Sequence, residues 1–134
     1  VTDRLPRGLL DTCVVIDLQV IDPGFLPVEA AVSSIVLAEL AQGVAMTKDP
    51  AEMMTRAQRL ADVEAEFAAV PFDREAARRF GTLVALTVKA NRDPRPRRMD
   101  LMIAATAAAQ GLPLFTRNAD DFKGLEQGVK VIPV

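Results

Sequence analysis

The stretch DLMIAATAAAQGLPLFTRNADDF, residues 100–122, carries an acid at its head and no further charge until Arg117. Apolar residues and threonine fill almost every position after Asp100, which predicts a helix from Met99 to Gln110 that is buried nearly all round. Gly111 ends that helix, Leu112–Phe115 reads as a strand, and Asn118–Phe122 reads as a short helical turn. A helix buried on all sides carries its N-terminus inward, and Asp100 with it. A carboxylate in that position can cap the helix, but a buried charge needs a partner, and a metal ion is one such partner.

Working outward, the same alternation of short apolar runs and helical patterns recurs. Gly8–Leu10 reads as a first strand, and a helix from Cys13 to about Val20 ends at the Asp22-Pro23-Gly24 turn. Ala31-Val32 reads as a second strand, with Ser33 or Ser34 capping a helix that carries Ile35, Val36, Leu37, Leu40 and Val44. Asp49 and Pro50 start a long helix that runs to about Ala69, and Val70-Pro71-Phe72 is a third strand weakened by its proline. Asp73 caps a helix to about Ala90, and NRDPRPRR (91–98) is an arginine-rich loop. Val129–Ile132 reads as the last strand. Strands alternating with helices imply an α/β fold with a mostly parallel central sheet flanked by helices.

With 134 residues, half of them hydrophobic and a quarter charged, the chain suits one domain, here residues 9–134, with residues 1–8 as a loose lead-in. Sixteen basic against 18 acidic side chains leave a formal charge of −2, so any attraction to a polyanion must be local. The lone Cys13 excludes an internal disulfide and reads as a small buried hydrophobe; a reducing cytoplasm fits. No apolar run approaches the roughly 18 residues of a membrane span.

In a parallel sheet, ligands bind beyond the carboxyl ends of the strands. Asp11 stands at that end of the first strand, where it can cap the next helix. Glu39 is the only charge between Ala30 and Thr47, and Asn118, Asp120 and Asp121 follow the strand that ends at Phe115. Each of these acids has an ordinary reading as a cap, turn former or solvated surface group. Their shared topology suggests convergence on one sheet edge, where several carboxylates repel unless a cation neutralises them. Hard oxygen donors with no histidine favour Mg²⁺ or Mn²⁺ over zinc, and a metal-activated water becomes the natural nucleophile.

LLDT at 9–12, AEL at 38–40, the stretch 100–122 and the closing VKVIPV together resemble a PIN domain, in particular the VapC toxins of bacterial VapBC toxin-antitoxin modules. That resemblance implies a Mg²⁺- or Mn²⁺-dependent endoribonuclease with Asp11, Glu39, Asp100 and Asp121 as catalytic and metal-binding acids. Thr12, Thr116 and Asn118 match supporting positions, while Asp120 matches a variable one. It also implies a VapB-type antitoxin partner and homodimerisation. Lys89, Arg92, Arg95, Arg97 and Arg98 form a basic loop that can hold RNA phosphates, with Arg95, Arg97 and Arg98 nearest the acids. Met53, Met54, Leu60, Val63 and Phe67 form an apolar stripe suited to a partner helix or self-association, or to ordinary core packing. The rival readings are a catalytically silent PIN-like RNA-binding module, a DNA nuclease on the same fold, and a phosphatase or dehalogenase using Asp11 as nucleophile. The last lacks a second aspartate two residues on, where Cys13 stands.

Overall fold

Leu9 and Leu10, both fully buried, sit at the centre of a five-stranded parallel sheet. The computed structural model describes residues 4–134. Strand β1 (Arg7–Leu10) pairs with β2 (Glu29–Ser33) on one side and β4 (Leu114–Thr116) on the other. β3 (Ala68–Val70) and β5 (Val131–Pro133) form the edges, giving the order β3-β2-β1-β4-β5. The chain leaves β1 toward β2 and returns on its other side as β4. The order therefore reverses between β1 and β4, and the carboxyl ends of these two strands are the position where ligands bind in open parallel sheets.

Among the described residues five α-helices flank the sheet: α1 (Thr12–Ile16), α2 (Ser34–Met46), α3 (Pro50–Glu66), α4 (Arg74–Lys89) and α5 (Arg98–Ala109). Helix α5 packs against α4 and α2 and reaches β2, and its Leu101, Ile103, Ala104, Ala105 and Ala107 are all buried. Its nearly uniform apolar character is therefore the pattern of a central helix. Asp11, Ser33, Asp49 and Asp73 cap the helices that follow them, each accepting a hydrogen bond from a backbone N–H of the first turn. Among the described residues no helix is long and apolar enough to cross a membrane.

Several boundaries differ from the sequence reading. The expected helix 13–20 is two pieces, α1 and a 3₁₀ turn at Leu18–Val20, because the Asp17 N–H turns back to the Cys13 and Val15 carbonyls. β3 lies at 68–70 rather than 70–72, ending just before Pro71, which has no N–H to give the ladder. Val129 belongs to a turn, bonded to the Leu125 carbonyl, so β5 starts later than expected. The loose lead-in is also corrected: β1 begins at Arg7, and the Leu5 and Pro6 carbonyls accept from Val28 and Glu29 N–H. Arg4 adds hydrogen bonds to the Leu26 and Pro27 carbonyls. Residues 1–3 lie outside the described residues.

Gly8 is fixed by packing. A Cβ there would run into the Phe115 ring and approach Pro27 Cγ at 3.1 Å, and Phe115 is only 2% exposed, so the ring has nowhere to go. Gly8→Ala is expected to lower unfolding free energy by about 1–3 kcal/mol through overpacking at the β1–β4 seam. Urea denaturation checks this; an unchanged midpoint would mean that the seam yields freely.

Candidate active site

Asp11 is a charged residue with 4% exposure, and the sheet places it. Its N–H continues the β1–β4 ladder by donating to the Phe115 carbonyl, which sets Asp11 beside Thr116 at the carboxyl end of β4. Asp11 Oδ1 accepts from Thr12 N–H at 2.8 Å, capping α1. Oδ2 accepts from the fully buried Thr116 hydroxyl at 2.8 Å and from the Cys13 thiol at 3.4 Å. Three donors on one carboxylate fix its orientation.

Glu39 arrives from the second turn of α2. Ser33, fully buried at the end of β2, sets that helix by accepting from Ile35 N–H while its own hydroxyl reaches Thr106 of α5. The Thr12 hydroxyl donates to Glu39 Oε1 at 2.6 Å, tying the start of α1 to α2. Asp100 lies in the first turn of α5 but does not cap it: the 3₁₀ turn Arg95–Arg97 runs straight into the helix, and no side chain caps its end. Burial first, then the negative charges of Asp11, Glu39 and Asp121, push the Asp100 carboxyl up to about 6, with Arg97 pulling the other way. The four acids therefore share one electrostatic field, from four different elements. Among the described residues no three carboxylate or thiol groups form a ready ion cage, so the acids share an edge without a closed shell.

After β4, the 3₁₀ turn Ala119–Phe122 is braced by the Asp121 N–H, which donates to the Asn118 carbonyl. A PIN-domain model matches residues 9–126. The chain belongs to the PIN-domain family. It is 38% identical over 131 residues to ribonuclease VapC5 of Mycobacterium tuberculosis, covering 92% of this chain and 91% of that relative. Among solved structures it is similar to VapBC-5 of the same organism, a member of the VapBC family of toxin-antitoxin systems. That match has 34% identity and a TM-score of 0.84, over 96% of this chain and 99% of the other. FitAcB from Neisseria gonorrhoeae matches at 25% identity and a TM-score of 0.71, over 92% and 95% of the two chains.

Within this PIN fold, the structure brings Asp11, Glu39, Asp100 and Asp121 together, with Thr12 and Thr116 bonded to two of them. Asn118 does not join: it is exposed, and its backbone N–H, not its amide, contacts the Thr116 hydroxyl. Asp120 is exposed near Lys123, outside the cluster. Arg95 is engaged by Asp93 through two 3.0 Å contacts, and Arg98 Nε donates to the Arg95 carbonyl, so the loop is partly satisfied by itself. Arg97 turns toward the acids, with Nη1 3.7 Å from Asp121 Oδ1.

Two features escaped the sequence reading. Cys13 is not a plain hydrophobe: it is half-buried, its sulfur meets Asp11, the Thr116 hydroxyl and Arg117 N–H, and burial, reinforced by the Asp11 charge, pushes its thiol up. The signal was its place two residues past the strand end. Arg97 as an ion partner was hidden because two prolines suggested a loop, whereas the 3₁₀ turn and α5 set Arg97 and Asp100 one helical turn apart.

A carboxyl raised above its unfolded value adds stability that is complete below pH 3.8 and is lost as pH rises through about 6. Asp100→Asn is therefore expected to stabilise the ion-free chain at pH 7.5, by a margin that shrinks toward pH 5. Urea unfolding in chelator at both pH values checks this; an equal margin at both would contradict the raised carboxyl.

Proposed function

We propose that this acidic edge hydrolyses RNA phosphodiesters with a bound Mg²⁺ or Mn²⁺, as the toxin of a toxin-antitoxin pair. The observation that carries the reading is the convergence of Asp11, Glu39 and Asp121 on a raised Asp100 carboxyl at the carboxyl edge of a PIN sheet. The donors are hard carboxylate oxygens with no imidazole in the chain, a set that fits Mg²⁺ or Mn²⁺. Asp11 and Asp100 would hold the ion. When bound, the ion lowers the pKa of a coordinated water and offsets the charge that develops on the phosphate.

The side chains divide the remaining work. Thr116 and the Thr12 N–H hold the Asp11 carboxylate in one orientation. Glu39, bonded to the Thr12 hydroxyl, would orient the attacking water or accept its proton, and Asp121 would act on the same water. Arg98, exposed at the start of α5, offers a cation to phosphates flanking the scissile bond.

A ribonuclease of this kind is restrained by a protein partner. Similarity to VapC5 and VapBC-5 supports a VapB-type antitoxin as that partner; homodimerisation and action in the cytoplasm complete the proposal. Along the apolar stripe of α3, the exposed Met54 and the buried Val63 and half-buried Phe67 all line a groove of about 800 Å³ with Val15, Ile16 and Leu18.

Incubation of labelled RNA and DNA with the chain in Mg²⁺, Mn²⁺ or excess chelator tests the reading. RNA cleavage is expected with either ion and not in chelator. Asp11→Asn and Asp100→Asn are each expected to lower the rate at least 100-fold while leaving the circular dichroism spectrum unchanged. Full cleavage in both variants, or cleavage of DNA alone, would overturn it.

A further inference from the structure

Arg97 makes an ion pair that is poorly built for permanence. Its side chain is 27% exposed, its nearest carboxylate contact is the 3.7 Å approach of Nη1 to Asp121, and it makes no side-chain hydrogen bond to any acid of the cluster. Its Nε is buried with no partner. Burying a guanidinium donor unpaired is unfavourable, so the pose is held by the summed charge of the acids and not by hydrogen-bond geometry. Arg95, two residues earlier, shows the contrast: Asp93 meets its Nε and Nη2 in a bidentate pair. The Arg97 charge also opposes the rise of the Asp100 carboxyl.

We infer that Arg97 is a resident counter-cation of the acidic edge, which a divalent ion displaces from Asp121, freeing the guanidinium to bind a phosphate oxygen of the RNA. The inference rests on the metal-dependent reading above. A divalent ion among the four acids supplies the positive charge that Arg97 now supplies in part, and two cations sharing one set of carboxylates repel each other. Once displaced, the guanidinium regains its unpaired Nε as a donor, and a phosphate gives the planar, bidentate acceptor that Asp121 does not. The same side chain thus weakens ion binding in the free protein and strengthens substrate binding in the loaded one. Arg97 acts as a positioning residue in the first state and touches substrate in the second.

Calorimetric titration of the free chain with Mn²⁺, without RNA, reads the first role directly. Arg97→Gln is expected to bind Mn²⁺ about tenfold more tightly than wild type, whereas Arg97→Lys, which keeps the charge, stays within about twofold. Cleavage kinetics at saturating Mn²⁺ read the second role. There Arg97→Gln is expected to raise KM for RNA about tenfold or more, although its ion site is better filled, and Arg97→Lys to recover part of that loss. A merely structural role would weaken both ion binding and cleavage. Unchanged or weaker Mn²⁺ binding in Arg97→Gln, with wild-type binding intact, would overturn the counter-cation role alone. No Mn²⁺ binding in any variant would overturn both this inference and the metal-dependent reading.

Discussion

The hydrogen bond from the Thr116 hydroxyl to Asp11, 2.8 Å long and fully buried on the threonine side, joins the two strands whose divergence makes the site. It exists only because β1 and β4 are parallel neighbours in register, so that the residue after Leu10 meets the last residue of β4. Asp11 can be buried because this hydroxyl, the Thr12 N–H and the Cys13 thiol all donate to it. Without such donors an ionised carboxylate at 4% exposure would be strongly disfavoured. Capping and site building are thus one arrangement. The carboxylate that starts α1 is the carboxylate around which the other acids gather.

From that fixed point the remaining acids are placed by packing. Ser33 sets the start of α2 and meets α5 through Thr106, so Glu39 and Asp100 are coupled to the core by the same pair of hydroxyls. The cost is visible at Asp100, whose carboxyl is pushed to about 6 by burial and by its three neighbours. Local repulsion of this kind is common where a protein holds a site ready for a charged ligand. Arg97 relieves part of it, and the incomplete fit of its guanidinium is what leaves room for a better cation.

Much of this was legible in the sequence, because the signals were local. The all-apolar run after Asp100, the Asp49-Pro50 and Asp73 caps, and alternation of strands with helices specify an α/β fold with little ambiguity. Asp11 and Asp100 could be nominated because they stand just after a strand and at the start of a buried helix, and Glu39 because it is the only charge between Ala30 and Thr47. What the sequence hid depends on tertiary distance. Whether Asn118 or Asp121 faces the cluster is decided by the pitch of one 3₁₀ turn. Arg95 and Arg97 look equivalent in RPRR, yet one pairs with Asp93 beside it and the other turns to an acid reached only through the β4 turn. Strand ends shifted by one to two residues wherever proline or a back-turned N–H competed with the apolar pattern.

The central claim is that one cation site spans the carboxyl ends of β1 and β4 and is shared by Asp11, Glu39, Asp100 and Asp121. Paramagnetic broadening of backbone amide NMR signals by substoichiometric Mn²⁺ tests it most directly, since broadening falls off steeply with distance from the ion. The account predicts that the signals of Asp11, Thr12, Glu39, Asp100 and Asp121 vanish first and together. Early broadening along the acidic surface of α3, at Glu52, Asp62 and Glu64, with the sheet edge unaffected, would contradict it.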